Sequence, residues 1–556
     1  MSENILVCAA WPYANGSLHL GHIAGCYLPA DIFARYNRLK GNNVLMVSGS
    51  DAHGTPVTIT AESQGTTPEE VSSTYQKEFL SDWKNLGISF DLFTSTHTNN
   101  HSEVAQDIFL TLYEKGFIYK DRMSQPYCEA HLRFLADRYV EGICPHCKFD
   151  GARGDQCDGC GNTLDPKDLL EIRHKDCDST LVFKETEHFF LKLTAFENEL
   201  LNWVEKQEHW KPNVRNFTKG FLEGGLQDRA ITRDIMWGVP VPLKGYEEKR
   251  IYVWFEAVIG YLSASIEWAT NLGQRDEWEL FWKKESRAYY FMGKDNIPFH
   301  TIIWPAMLMG YEGLRLPYDV PANEYVNMEA QKISTSRNWV INLKDAVSRY
   351  DPDPLRFALS TIMPETSDSN FTWDDFVRRN NDELVATFGN LVNRVLSMIS
   401  RNFDGKIPSP TDSGKREEEL FQKASVTLGE VSDSLKNCKF REALGYSMAL
   451  AQFTNRYLDE KAPWAVVKTN PQAAGTTLYT AANILNCLKV VFHPFLPFST
   501  EKLHLMLGQE GTVSSDGWSW QKDGISPGHQ LGKVEHLFTK LDQSVVDEES
   551  SRLGIT

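Results

Sequence analysis

Three clusters of side chains in this sequence could do chemistry. In His19-Leu20-Gly21-His22, two imidazoles stand at i and i+3, a spacing that puts both on one face of a helix's first turn. Free backbone N–H groups and the helix dipole favour an anion there. Gly21 has no Cβ to block a flat ligand lying across the turn. Alone, four residues fit an ordinary surface helix equally well. In Lys332-Ile333-Ser334-Thr335-Ser336-Arg337, a lysine flanked by small hydroxyl residues makes a loop able to clamp a polyphosphate, although alone it fits a solvated polar loop. The third cluster is metal-ligating. Cys144-x2-Cys147-x9-Cys157-x2-Cys160 has the paired spacing of a zinc knuckle. Cys128-x2-His131 and His174-x2-Cys177 bracket it and could close a second tetrahedral site. Four protein ligands leave no open position, so either site would be structural.

Reading these cysteines as metal ligands rather than disulfides requires a reducing compartment. The N-terminus has no basic region, and Trp11-Pro12 breaks its short apolar run, which excludes an ordinary signal peptide. The most apolar stretch, ILNCLKVVFHPFLPF, is cut by Lys489, His493 and two prolines, so no membrane span is expected. The expected setting is cytoplasmic. Six of the 10 cysteines then fall between Cys128 and Cys177 for a reason.

The first cluster needs a strand–turn–helix to hold it. Residues 4–10 read as a buried strand, Pro12, Asn15 and Gly16 as a turn, and Ser17 as the N-cap of a helix running to about Lys40. Ile32, Phe33, Tyr36 and Leu39 keep helical spacing, and Gly41 sits where a helix-ending glycine belongs. A second strand, VLMVSGSD, ends at Asp51. This is the opening of a doubly wound α/β domain. From about 120 to 240 the rhythm breaks as at an insertion, then resumes with strand-like RIYVWF (250–255) and AYYFMG (288–293). Beyond about 380, helices are expected over 381–402, 416–437, 440–461 and 474–490, forming a bundle. The stretch from about 508 reads as a loosely structured extension.

A chain of 556 residues is too long for one core. Its net charge of −17 argues against a protein that coats nucleic acid indiscriminately. Any RNA contact must come from a local basic or aromatic surface.

In order and spacing, HLGH and KISTS resemble the HIGH and KMSKS motifs of class I aminoacyl-tRNA synthetases. WPYANGSLHLGH, SDAHGTP, AITRDIMWGVPVP, YVWFEAVIGY and GKDNIPFHTIIWPAML resemble the methionyl-tRNA synthetases, over nearly the whole chain. Thr335 stands where KMSKS usually has its second lysine, which leaves Lys332 and Arg337 to carry the loop's charge. This form is similar to that of archaeal-type members. Trp11 replaces the usual leucine of A-L-P-Y, and Val258 the proline of A-P-I-G-Y. The resemblance implies an α/β fold with a Rossmann-like, doubly wound parallel-sheet catalytic domain, a zinc-knuckle insertion and an α-helical bundle anticodon-binding domain. Expected boundaries are 1–118 and 241–320 for the catalytic halves and 119–240 for the insertion. A loop and stem-contact region over 321–379, a helical domain over 380–510 and an extension over 511–556 complete the division.

By the same resemblance, His19, His22 and Lys332 are catalytic. Gly21, Gly293, Asp295, Ser334 and Ser336 join them in binding ATP, with Asp295 on the ribose. Trp11, Tyr13, Asp51, Trp254, Ala257, Tyr261 and His300 bind methionine, with Asp51 meeting its ammonium group. Asn390, Arg394 and Trp464 read the anticodon, Trp464 by stacking. Implied cofactors are one or two structural Zn²⁺ and the Mg²⁺ of ATP. Implied partners are ATP, L-methionine and tRNA(Met), with the chain acting as a monomer. The isoleucine, valine and leucine enzymes share both motifs but carry a large editing domain where this insertion is short. A non-catalytic RNA-binding module would not need His19, His22, Asp51 and Lys332. A ligase without RNA would not need the helical half.

Overall fold

Strand β1 (Asn4–Ala9) alternates its side chains between two cores: Ile5, Val7 and Ala9 enter one, Leu6 and Cys8 the other. A strand buried on both faces belongs inside a parallel sheet, and β1 is the middle of one. The computed structural model describes residues 2–554 except 136–138, 155–156, 158, 161–163, 176, 178–180, 336 and 412–413. β1 leads through a turn into helix α1 (residues 20–39), then β2 (Asn43–Ser50), α2 (Pro68–Leu86) and β3 (Leu92–Ser95). A long hairpin, β4 (Ile118–Cys128) with β5 (Val182–Leu191), carries the cysteine-rich insertion, and α3 (Pro212–Glu223) follows it. The sheet resumes with β6 (Ser286–Gly293) and β7 (Ala322–Asn323), giving the parallel order β7-β6-β1-β2-β3. Loops leaving the C-terminal ends of β1, β2 and β6 converge on one edge of the sheet, where an α/β fold binds its ligands. Beyond it lies a three-stranded sheet of β8 (Val326–Met328), β9 (Gln331–Lys332) and β10 (Ser369–Phe371).

The helical half comprises α4 (Asn390–Asn402), α5 (Lys415–Lys436), α6 (Phe440–Lys461) and α7 (Pro471–Phe492). Its apolar faces share one hydrophobic cluster with α1 and one face of the parallel sheet. The fully buried Arg356 pins this junction. It forms an ion pair with Asp31 of α1 at 2.6 Å and donates to the Pro494 and Phe495 carbonyls at 2.9 Å each. With its donors satisfied, the buried pair escapes the cost of an unpaired charge. No helix among the described residues is long and apolar enough to cross a membrane.

Four local expectations are corrected. Ser17 is not the N-cap; His19 is. The cause is tertiary: Leu20 N–H donates to the Ile341 carbonyl (3.2 Å) and Leu343 N–H to the Leu18 carbonyl (2.7 Å), so residues 18–20 stay extended and the helix starts later. The helix is also not uniform. Ile23–Tyr27 is a π turn, and there the Gly25 carbonyl accepts from the Asn323 amide. RIYVWF is a strand only at Arg250–Ile251, and Val253–Glu256 is helical. The last ladder bond is Tyr252 N–H to the Ile231 carbonyl (2.8 Å), after which the Phe255 and Glu256 N–H groups donate to the Tyr252 carbonyl. The extension past 508 has little regular structure but is well anchored. Trp518 N–H donates to the Leu39 carbonyl, Trp520 Nε1 to the Asn483 carbonyl, and Ile525, Leu531 and Phe538 are buried. Its Gly and Ser content left a helix improbable without making the segment loose. It ends in α8 (Ser544–Ser550).

Candidate active site

The two histidines of HLGH stack with ring centroids 3.6 Å apart. Each Nδ1 accepts from the other residue's backbone N–H at 3.3 Å, a reciprocal cap. This pattern assigns both ring protons to Nε2, so each ring is a neutral donor. Two stacked rings disfavour protonation of both, because like charges at this distance repel. Against this turn lies the segment that closes the Lys332 loop, bridged through His19 and Asn342. Lys332 is exposed in β9, paired with Asn327 of β8. Beyond it, Ser334 and Trp339 exchange backbone bonds of 3.0 and 2.9 Å, forming a hairpin that Trp339 Nε1 ties to the Met328 carbonyl. Arg337 is exposed nearby, and Ser336 lies outside the described residues. The missing Cβ of Gly21 leaves room for Ile333, whose Cδ1 would lie 2.8 Å from it. In this structure the glycine therefore seats the loop, a role the sequence did not disclose.

The strand-end loops assemble a second cavity wall. Tyr13 and Asp51 form a parallel bridge, with Asp51 N–H donating to the Pro12 carbonyl (2.7 Å) and Ala14 N–H to the Asp51 carbonyl (2.9 Å). Gly54 has no Cβ, and the Tyr13 ring occupies that space. Trp11 sits likewise against Gly49 and Gly260, where a Cβ would lie 2.3 and 2.7 Å from its ring. The larger side chain is thus received without disturbing the turn. Trp11 meets Tyr261 edge-on at 6.3 Å. Tyr261 donates to His300 Nε2 (2.8 Å), whose Nδ1–H donates to the Asn296 carbonyl (2.9 Å). Burial pushes His300 down to about 4, so it stays neutral at pH 7. Trp254 packs on Phe299 with centroids 4.1 Å apart, and Ala257 lies in the adjoining 3₁₀ turn.

Sequence reasoning missed a charged network behind Asp51. Glu256 is fully buried, with Oε1 2.9 Å from His53 Nδ1 and Oε2 3.8 Å from His101 Nε2. His53 Nε2 contacts His97 Nδ1 at 3.2 Å, and Trp237 Nε1 donates to the Ala52 carbonyl. Burial raises Asp51 to about 8, and the negative Glu256 adds to this. Burial acts on Glu256 in the same direction, yet His53 beside it holds Glu256 down to about 2. The available signal was a glutamate inside the apolar run YVWFEAVIGY and a histidine two residues past Asp51.

Asp295 follows Gly293 at the end of β6 and accepts a hydrogen bond from the Tyr325 hydroxyl.

Both metal sets assemble. The ligand atoms of Cys144, Cys147, Cys157 and Cys160 lie within 4.8 Å of one another, as do those of Cys128, His131, His174 and Cys177. Sulfur pairs at 3.5 Å (Cys147–Cys157) and 3.9 Å (Cys144–Cys160) are far longer than a disulfide's ~2.05 Å. They match the separation expected around a tetrahedral ion with bonds of about 2.3 Å. Gly159 N–H also donates to Cys157 Sγ, an outer hydrogen bond suited to a thiolate. Either cluster could hold a metal ion such as zinc.

In the helical half, Asn390 continues the helix from the π turns Asn380–Gly389 into α4 and is exposed. One turn on, the Arg394 guanidinium lies 4.6 Å from the centre of the Trp464 ring and pairs with Asp459 at 2.7 Å. Ala462, at φ 41°, breaks the chain's helical path before Pro463-Trp464. Trp464 is 45% exposed, so it is not a core tryptophan.

Comparison with known proteins bears on what this arrangement does. Residues 5–396 match the family model "tRNA synthetases class I (M)", and residues 407–555 match "Anticodon binding domain of methionyl tRNA ligase". The chain is 58% identical to a methionine–tRNA ligase of Dehalococcoides mccartyi over the full length of both. It is 51% identical to one from Thermomicrobium roseum, covering 100% of this chain and 99% of that protein. Among solved structures, Mycobacterium tuberculosis methionyl-tRNA synthetase in complex with methionyl-adenylate has the same fold. Its TM-score is 0.80 at 24% identity, covering 96% of this chain and 99% of that one.

Proposed function

Because this chain belongs to the methionyl-tRNA synthetases of class I and is a methionine–tRNA ligase, we propose that both of its reaction steps run in the cleft above β1, β2 and β6. In the first step a methionine carboxylate oxygen attacks the α-phosphorus of ATP in line, the P–O bond to the β-phosphate breaks, and pyrophosphate leaves. In the second, a hydroxyl of the tRNA's 3′-terminal adenosine attacks the acyl carbon of methionyl-adenylate, and AMP leaves. The carboxylate is already a nucleophile, so the first step needs no side-chain base. Positioning and charge stabilisation supply the catalysis.

The observation that carries this reading is the seat of Ile333 on Gly21, which holds the Lys332 loop against the stacked histidines. His19 and His22 donate through Nε2–H to phosphate oxygens, while Lys332, Ser334 and Ser336 hold the departing pyrophosphate. Gly21 and Gly293 let the nucleotide approach closely, and Asp295 accepts from the ribose. Mg²⁺ bound with ATP supplies further positive charge at the phosphates. Asp51 takes the methionine ammonium. Trp11, Tyr13, Trp254, Ala257, Tyr261 and His300 enclose the side chain. The Tyr261 proton is committed to His300, so the pocket offers mainly ring faces, which suit a polarizable thioether.

The four-cysteine set and the Cys₂His₂ set hold one or two structural zinc ions between them and keep the insertion in shape to guide the tRNA acceptor end. Asn390, Arg394 and Trp464 read the anticodon. The working division is a catalytic domain in two halves (1–118 and 241–320), an insertion (119–240), a stem-contact region (321–379), an anticodon-binding domain (380–510) and its extension (511–556). The enzyme acts as a cytoplasmic monomer. ATP–pyrophosphate exchange across a panel of amino acids tests the proposal. Exchange should depend on methionine, and exchange with none would overturn the reading.

A further inference from the structure

Residues Asn323-Glu324-Tyr325, where β7 passes into β8, carry no motif, yet each side chain reaches a different part of the active-site frame. Asn323 is buried; its amide donates to the Gly25 carbonyl in the π turn after HLGH (2.9 Å) and its oxygen accepts from Lys211 Nζ at the start of α3 (2.9 Å). Glu324 accepts from the Asn213 amide of α3 (2.9 Å) and pairs with Lys294 Nζ (2.6 Å). Lys294 is enclosed further by Asp368 (3.3 Å) and by the Tyr325 ring, 4.1 Å from Nζ to centroid. Tyr325 N–H donates to Asp368 Oδ1 (3.0 Å), and its hydroxyl donates to Asp295 Oδ1. Asp295 thus follows a lysine held on three sides and has one oxygen oriented by a phenol.

We infer that Tyr325 is a positioning residue for the nucleotide ribose: its hydroxyl fixes the Asp295 carboxylate so that the other oxygen faces the ribose hydroxyls, while the Glu324–Lys294 pair braces the loop beneath. This rests on the reading that Asp295 binds the ribose. An exposed aspartate in a single 3₁₀ turn has free side-chain rotation, and ordering it only when ATP arrives would cost affinity. A donor already in place removes that cost. The ring stays on Lys294 when only the hydroxyl is lost, so Tyr325→Phe leaves the fold and the cation–π contact in place.

The test is pyrophosphate exchange by the full chain with ATP, 2′-deoxyATP and 3′-deoxyATP. Tyr325→Phe should raise KM for ATP about tenfold, the scale of one hydrogen bond to a charged acceptor. KM for methionine should stay unchanged. The effect should fall below about twofold with the analogue lacking the hydroxyl that Asp295 holds. An equal rise in KM for methionine, or an equal loss with all three nucleotides, overturns the inference. Asp295→Asn is run beside it. If the loss caused by Asp295→Asn is the same with all three nucleotides, the ribose reading itself falls and takes the inference with it. If that loss vanishes with one deoxy analogue and the Tyr325→Phe loss does not, the inference alone falls.

Discussion

Ile333 of the lysine loop rests on Gly21 of the histidine turn so closely that a Cβ on the glycine would lie 2.8 Å from the isoleucine's Cδ1. The contact joins two segments more than 300 residues apart in the chain. Gly21→Ala should therefore displace the loop rather than unfold the protein, because the isoleucine sits on an exposed hairpin that can yield. In a packed core such overpacking costs about 1–3 kcal/mol; here movement of the hairpin relieves it. If the loop works in the transition state, kcat for exchange falls about tenfold or more at an unchanged melting temperature. Adding Ile333→Ala should restore most of it. A double variant no better than Gly21→Ala would place the loss at the His19 ring, 3.1 Å from such a Cβ, rather than at the Lys332 loop.

Burial beside Glu256 raises Asp51 to about 8, so without a bound ammonium group it keeps its proton at pH 7. The other groups facing this network are His53, His97 and His101. An unfolded aspartate loses its proton near pH 4. Between those values the folded state binds more protons than the unfolded one, so Asp51 makes stability fall as pH rises from about 4 to about 8. Asp51→Asn should flatten that slope while abolishing methionine affinity. A methionine ammonium on Asp51 favours the carboxylate, so binding at pH 7 should release a proton. Calorimetry in two buffers of different ionisation enthalpy measures this, and equal apparent heats would contradict it.

Metal content separates the two knuckles. After thiol modification with a chromogenic chelator present, the wild type should release two zinc ions per chain and Cys144→Ser one. Release of one ion by the wild type and none by Cys144→Ser would leave the Cys128 set without metal. Since neither metal set includes a residue assigned to ATP or methionine, Cys144→Ser should impair tRNA charging more than exchange.

Trp464→Ala removes an exposed ring held in place by Arg394. Stacking on one base contributes about 1–3 kcal/mol. Charging kcat/KM should then drop tenfold to hundredfold while exchange stays at the wild-type rate. Equal losses in both assays would refute the anticodon role.

Much of this was legible along the chain because it depends on local spacing. Two ligands with two residues between them chelate whatever the rest of the fold does, so both metal sets could be read directly from the cysteines and histidines. Helix periodicity gave the four long helices beyond 380 nearly to their ends. The strand–turn–helix around HLGH followed from its turn residues and from Gly41, at φ 77°. The cap failed at Ser17 because the bonds that keep residues 18–20 extended come from Ile341 and Leu343.

Tertiary structure alone decided the rest. The lodging of Trp11 depends on Gly49 and Gly260, which sheet register and helix packing bring to the same ring. Glu256 acquires its two histidines, and Asp295 its tyrosine, only once β2, β6 and β8 are assembled. The extension past 508 is anchored through carbonyls of Leu39 and Asn483, which no composition records. Local chain order sets which groups are available and what each does to its near neighbours. Which distant groups meet was set by burial of the sheet's two faces, since a buried polar atom must find its partner wherever packing puts one.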